Sequence, residues 1–136
     1  MDPDQARSFV AGNHRAVLAT TRSDGRAQMS PVVCGLDQAG RVVISSRETA
    51  MKVRNARRRP AVSLCVMSDG FYGPWVQVDG RADVLPLPDA MEGLIDQYRQ
   101  VAGEHPDWDD FRAAMVRERR VLLRIEIERA GPDRSG

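Results

Sequence analysis

The apolar residues of this chain fall in short runs, spaced too closely for anything but hairpins. Ala16 to Arg22 and Ala27 to Leu36 are rich in β-branched and small apolar residues, and only Ser23-Asp24-Gly25 and one flanking residue separate them. Asp37-Gln38-Ala39-Gly40 then leads straight into Arg41 to Ser46. Parallel neighbours need a crossover of about a dozen residues or more. These gaps admit only tight antiparallel turns, with glycine supplying positive φ. Ala61 to Met67 is a continuous apolar strand. Trp75 to Leu85 alternates, with Val76, Val78, Gly80, Ala82 and Val84 on one face and Gln77, Asp79, Arg81 and Asp83 on the other. Asp79-Gly80 has the form of a turn, but the alternation runs through it, so the segment is one strand with a bulge at the glycine. A last strand, Val121 to Glu128, aligns Val121, Leu123, Ile125 and Ile127.

Helical spacing separates these strands. Asp2 is an N-cap before Pro3, and Ala6, Phe9 and Val10 follow in a helix ending near Gly12-Asn13. Thr49 to Arg59 is helical and stops before Pro60. Pro88 opens a third helix with Met91, Leu94, Ile95 and Tyr98 on one face. A fourth follows Asp107 and turns Phe111, Ala114 and Met115 inward. The order is helix, three strands, helix, two strands, two helices, strand. It predicts a mainly β chain, a small antiparallel barrel of six strands with flanking helices. The 136 residues make one domain over 1–130, with a frayed tail expected at 131–136.

Several function classes are excluded. No apolar run approaches the roughly 18 residues that span a bilayer. The acidic start carries no secretory signal. Cys34 and Cys65 each sit in an apolar run, as expected of free thiols in a reducing compartment, so the chain is expected to be cytoplasmic. A dinucleotide fingerprint, a P-loop and a nucleophile elbow are all absent. Two cysteines and two histidines are too scattered for a zinc site, so no metal is expected. His14 and His105 are general-acid candidates, though a surface or capping role fits each better. A net charge of +1 argues against bulk nucleic-acid binding.

That charge has an odd make-up: of twenty basic residues nineteen are arginine, and Lys52 is the exception. It lies in Ser45-Ser46-Arg47-Glu48-Thr49-Ala50-Met51-Lys52, where a strand ends in two serines and a helix begins. Cations in a helix's first turn oppose its dipole by about 0.3–1 kcal/mol each. A bound anion reverses that, and free N–H groups, hydroxyls and an ammonium make a phosphate site. The alternative is an exposed basic helix offset by Glu48. Arg57-Arg58-Arg59 is either a solvated face or an extension of the field toward a polyanion. A nucleic-acid groove is the weakest reading, since no aromatics interleave the basic run. Three of the seven aromatic residues crowd into Phe71-Tyr72-Gly73-Pro74-Trp75. They would stack on a flat heterocycle or anchor a turn. Gln28, Ser30 and Val32 share one face of the second strand, suited to a ring edge or simply to water. Pro31 in that strand implies an edge or bulge with unpaired backbone.

Taken in order, Leu18-Ala19-Thr20-Thr21-Arg22-Ser23-Asp24-Gly25-Arg26, Ser30-Pro31-Val32, Lys52-Val53-Arg54-Asn55-Ala56-Arg57-Arg58-Arg59-Pro60 and Val78-Asp79-Gly80-Arg81-Ala82 resemble the pyridoxamine 5′-phosphate oxidase-like split barrels. The stretch from Tyr98 through Ala102-Gly103-Glu104-His105 to Trp108-Asp109-Asp110 and Arg119-Arg120-Val121-Leu122-Leu123 is similar to the actinobacterial branch that uses the deazaflavin coenzyme F420. The likeness runs from about Arg15 to Glu128. It implies a six-stranded FMN-binding type of split barrel and a homodimer with cofactor sites at the interface. It further implies that Lys52 and Ser45, Ser46 and Thr49 bind the cofactor phosphate, with Arg54 and Asn55 in support. By the same likeness Gln28, Met29, Ser30 and Pro31 line the ring, and Trp75 closes the pocket from the second subunit. The basic helix would meet the anionic tail of the cofactor. Ala27 and Ala50 depart from the pattern, the second weakening tail binding.

The activity so implied is hydride transfer from reduced F420 to an unsaturated small molecule, such as an enone, a quinone or a tetrapyrrole. The cofactor supplies that chemistry, which suits a chain without an obvious catalytic dyad. An FMN-dependent enzyme of pyridoxamine 5′-phosphate oxidase type keeps the same fold and phosphate site. A non-catalytic flavin or F420 binder is the third reading, because a fold does not establish a reaction.

Overall fold

The computed structural model describes residues 1–132. Six strands form one closed antiparallel barrel: β1 (Arg15–Thr21), β2 (Ala27–Leu36), β3 (Val42–Arg47), β4 (Ala61–Met67), β5 (Trp75–Leu85) and β6 (Arg120–Gly131). Their order around the barrel is β1-β2-β3-β6-β5-β4. The mainly β barrel expected from the hairpin spacing is therefore the observed one. β5 runs unbroken through Asp79-Gly80, as its alternation required, but the bulge expected there lies in its partner: Asp79 faces Arg129 and Gly80 faces Ile127, so the extra residue is Glu128 of β6. A Cβ on Gly80 would lie 2.2 Å from the Glu126 carbonyl oxygen and 2.9 Å from Ile125 Cγ2, so the close approach of β5 and β6 needs glycine. The last strand is longer than its apolar pattern: Gly131, expected in the tail, pairs with Gln77. Residues 133–136 of that expected tail lie outside the described residues.

The barrel interior is lined by Ala16, Leu18, Cys34, Val42, Ile44, Leu64, Val66, Val76, Val78, Leu123 and Ile125, all essentially inaccessible. Two helices add to this core. In α1 (Pro3–Gly12) a reciprocal capping box joins Asp2 and Gln5, and Ala6 and Val10 are buried. This helix sits where β2 turns into β3, with Arg7 Nε donating to the Gly40 carbonyl at 2.9 Å. In α2 (Met51–Arg58) the buried residues are Val53, Asn55 and Ala56, and the helix packs at the Thr20–Thr21 end of β1. The free cysteines are as expected, though Cys65 is only half-buried. Burial pushes the Cys34 thiol up to about 12, which keeps it protonated and inert.

A second apolar cluster lies outside the barrel. Val43 and Leu122 on the outer face of β3 and β6 meet Leu94 and Ile95 of α3 (Met91–Ala102) and Phe111 and Met115 of α4 (Trp108–Arg117). The third helix starts at Met91 instead of at Pro88, because 87–90 form a turn that precedes it. Asp107 caps α4 through the Asp110 N–H, and His105 Nδ1 accepts the Asp107 N–H at 2.9 Å. His105 thus takes the capping role. Among the described residues no helix is long and apolar enough to cross a membrane, and no three His, Cys, Asp or Glu gather as a metal site.

The Gly80 contact carries a prediction. Gly80→Ala should lower stability by about 2–3 kcal/mol, through overpacking against backbone that cannot move aside. Urea denaturation would measure it, and an unshifted midpoint would show that the bulge is not held by this contact.

Candidate functional site

The ladder between β2 and β3 is short. It holds Leu36↔Val42, Gly35↔Val43 and Cys34↔Ile44 and then stops. Beyond Cys34, β2 pairs only with β1, through Ala27↔Thr21, while β3 pairs only with β6 as far as Arg47↔Arg120. The barrel wall therefore splits between the first half of β2 and the end of β3. Pro31 sits in that half of β2, on a strand that has lost one neighbour, as a proline in a strand requires. Freed backbone must find other partners. The buried Gln97 of α3 supplies one, its Nε2 donating to the Val33 carbonyl at 3.3 Å. Gln100 grips the paired half of the same strand, accepting from the Leu36 N–H at 2.9 Å and donating to the Leu36 carbonyl.

A cavity of 570 Å³ opens at this split. Pro31, Val33, Ser45 and Lys52 form one side, and Leu94, Tyr98, Val101, Phe111 and Met115 form an apolar wall opposite. Arg120 completes the lining at the start of β6. Lys52 is half-buried and makes no hydrogen bond or ion pair among the described residues. It stands in the first turn of α2, whose N-cap Ala50 offers no side-chain acceptor or donor to the helix end. An unpaired ammonium beside uncapped N–H groups, in a partly enclosed cavity, is arranged for an anion. The apolar wall and the aromatic edge of Tyr98 suit a flat ring. The donor set thus fits a phosphate-bearing heterocycle.

The other expected site residues are dispersed. Gln28, Ser30 and Val32 do share a face, but it is the barrel interior and not the wet side, because they oppose the inward-facing Thr20, Leu18 and Ala16. Gln28 Oε1 accepts from Thr20 Oγ1 at 3.2 Å, and the Ser30 hydroxyl is buried without a partner among the described residues. Met29 and Val33 lie with Pro31 on the outer face and are exposed. Ser45 faces outward to the cavity, whereas Ser46 is buried on the inner face, its hydroxyl donating to the Arg47 carbonyl at 3.2 Å. Thr49 is exposed in the turn before α2. Asn55 is fully buried: its Nδ2 donates to Thr20 Oγ1 at 3.1 Å, and its Oδ1 accepts from Arg58 at 2.9 Å. It holds α2 onto β1, and removing one partner of such a buried bond costs about 1–3 kcal/mol.

The basic helix is largely spoken for. Arg57 pairs with Glu48, and Arg58 also donates to the Thr21 carbonyl at 2.9 Å. Arg54 is exposed and without an ion-pair partner among the described residues. Phe71 and Tyr72 are exposed at a hairpin tip, edge to face at 5.0 Å. Trp75 starts β5 and lines a different cavity with Gln77, Asp79 and Arg129. Within one chain, then, the aromatic cluster does not reach the cavity at the split.

Arg120, Gln97 and Tyr98 were not among the expected site residues. A left-handed Arg119, with φ of 54°, lets the chain leave α4 and enter β6 at once, without the glycine that would have marked such a turn. Glu118 then accepts from both Arg120 at 3.1 Å and Arg47 at 3.3 Å. The hydrogen bond from Arg120 holds its carboxyl below the usual range, with the charges of Arg120, Arg47 and Arg117 adding to it. A carboxylate with a depressed pKa stabilises the fold fully above its unfolded value of about 4.3, and that contribution is lost as the pH falls. Glu118→Gln should therefore melt below the parent at neutral pH, and the difference should shrink progressively as the pH falls below about 4.3. A constant difference in melting temperature at every pH would remove this account.

The geometry can be set beside known proteins. The family model described as pyridoxamine 5′-phosphate oxidase matches residues 2–132. An F420H2-dependent biliverdin reductase of Mycobacterium tuberculosis (strain CDC 1551 / Oshkosh) is 27% identical over 127 residues, covering 93% of this chain and 84% of that protein. A solved F420 reductase superposes with a TM-score of 0.69 at 22% identity, over 92% of this chain and 94% of its own. A FAD-binding protein from Mesorhizobium loti gives 0.67 at 26% identity, over 96% and 92%. The family likeness read from the sequence and the six-stranded barrel agree with these matches. On a model match that spans nearly every residue, the chain belongs to the pyridoxamine 5′-phosphate oxidase family.

Proposed function

We propose that this chain is an oxidoreductase that uses reduced coenzyme F420 to reduce an unsaturated small molecule, an enone, quinone or tetrapyrrole-like acceptor. The observation that carries the reading is Lys52: the chain's one lysine, half-buried, without a partner among the described residues, and lining the cavity opened by the split. Two relatives named for F420 support the choice of cofactor. Bound there, the deazaflavin would supply the hydride. Lys52 and Ser45 would hold its phosphate, with Thr49 and Arg54 at the rim of the same turn and helix. Pro31 and Met29 would support the ring from the outer face of β2, and Gln28, Ser30, Ser46 and Asn55 would shape that strand and α2 from inside. The apolar wall of α3 and α4 excludes water from the reacting face. FMN is the second reading, favoured by the FAD-binding relative.

Two copies of the chain are part of the proposal. Val17, Met29, Val33, Cys65, Met67 and Trp75 share one outer sheet face across β2, β1, β4 and β5, and none is buried. Accessible apolar side chains gathered on one face, with Arg15 between Val33 and Met67, mark an interaction site. Pairing two barrels through it would bring Trp75 of the second copy toward the cavity mouth. The location proposed for the dimer is the cytoplasm, in keeping with its free thiols.

Titration with F420 and with FMN, followed by ring fluorescence, separates the two cofactors, and tight FMN binding without an F420 response would sink the first. Lys52→Ala should weaken binding at least tenfold, since a charge-assisted phosphate contact is worth about 1.5–3 kcal/mol. Lys52→Arg should not restore it, because a planar guanidinium cannot replace a compact ammonium. Unchanged affinity in Lys52→Ala would remove the phosphate assignment. Sedimentation should show a dimer, and a monomer would remove the interface.

A further inference from the structure

The cavity holds a second cation whose bonding is incomplete. Arg120 opposes Arg47 across the β3–β6 ladder, on the outer face that also bears Ser45. One of its nitrogens, Nη2, donates to Glu118 at 3.1 Å. Its Nε is buried and has no acceptor among the described residues. A buried donor left without a partner is unusual in a folded protein, and it marks a place where a missing acceptor belongs. The same side chain lines the cavity with Lys52 and Ser45.

The local charge points the same way. Glu118 is shared between Arg47 and Arg120, and Glu48 is engaged by Arg57. Lys52, Arg47 and Arg120 are thus opposed by the single carboxylate of Glu118. The surplus is positive, at the one end of the cavity that also presents a hydroxyl and an uncapped helix. The opposite wall is apolar.

We propose that Arg120 is a second anion-binding residue of this cavity. Its Nε donates to the same phosphate that Lys52 neutralises, while Glu118 holds the guanidinium plane in register from behind. The proposal rests on the phosphate reading of the cavity and adds to it a directional donor that lysine cannot provide. The ligand class is a phosphate ester on a flat ring, whether the monoester of FMN or the diester of F420.

Arg120→Lys keeps the charge and a partner for Glu118 but removes the Nε donor. Arg120→Met keeps length and shape and removes both. Each would be titrated with F420, with FMN and with riboflavin, which has the ring and no phosphate, and melted as a check on folding. The expected result is about a tenfold loss for the phosphate-bearing ligands in Arg120→Lys, and more in Arg120→Met. Riboflavin affinity should stay at the parent value. Parent-like affinity for the phosphate ligands in both variants, alongside a loss in Lys52→Ala, would overturn the role of Arg120 and leave the phosphate reading standing. Unchanged affinity in Lys52→Ala as well would overturn both. An equal loss for riboflavin would show a collapsed cavity and also overturn the proposal.

Discussion

The rest of the site depends on the ending of one ladder. A closed barrel satisfies its backbone by pairing each strand twice, so strands that separate midway leave donors and acceptors exposed. Here β2 and β3 separate after Cys34 and Ile44. The freed edge of β2 is answered by an amide side chain of α3, Gln97, and not by another strand. A helix held at this distance cannot close the wall as a strand would. The space left over is the cavity, and it inherits polar groups from the strand ends and apolar groups from the helices.

Electrostatics then differentiates the two ends of that space. Most of the basic residues nearby have local partners: Arg57 pairs with Glu48, Arg58 donates to carbonyl and amide oxygens, and Arg47 and Arg120 share the single carboxylate of Glu118. Exposed pairs of this kind add little stability. Their effect is selective, since they leave Lys52 on the cavity wall without an ion-pair partner among the described residues. The helix bearing it is anchored from below, where Asn55 and Thr20 form a buried chain of hydrogen bonds that reaches Gln28. Gln28 and Asn55 thus bear on the site through the placement of α2 and β2.

Much of the fold was legible because strand and turn signals are local. The spans of β2, β4 and β5, the unbroken run of β5 through Asp79-Gly80 and the cap at Asp2 all follow from spacing within a few residues, whereas the bulge fell on the partner strand at Glu128. Lys52 was legible for the same reason, as the exception in an arginine-rich chain at a strand-to-helix turn. The shared face of Gln28, Ser30 and Val32 was legible too. Its direction was not, since a period of two fixes which residues go together and leaves open which side is inside. Polar side chains read as the wet face, yet here they line an interior end where Thr20 and Asn55 are also polar. Arg120 stayed hidden for a different reason. It is one arginine among nineteen, and its neighbours Glu118, Arg47 and Lys52 are brought to it only by the β3–β6 ladder and the left-handed turn at Arg119.

The sequence by itself determined a meander of antiparallel strands, helices between them, and a lone ammonium at a helix start, because each rests on contacts between near neighbours in the chain. Only the tertiary structure decided where the barrel wall opens, which serine of the pair faces the opening, and which arginine joins Lys52 there. Those outcomes depend on register between β2, β3 and β6, and register is set by the packing of the whole core and not by any local run of residues.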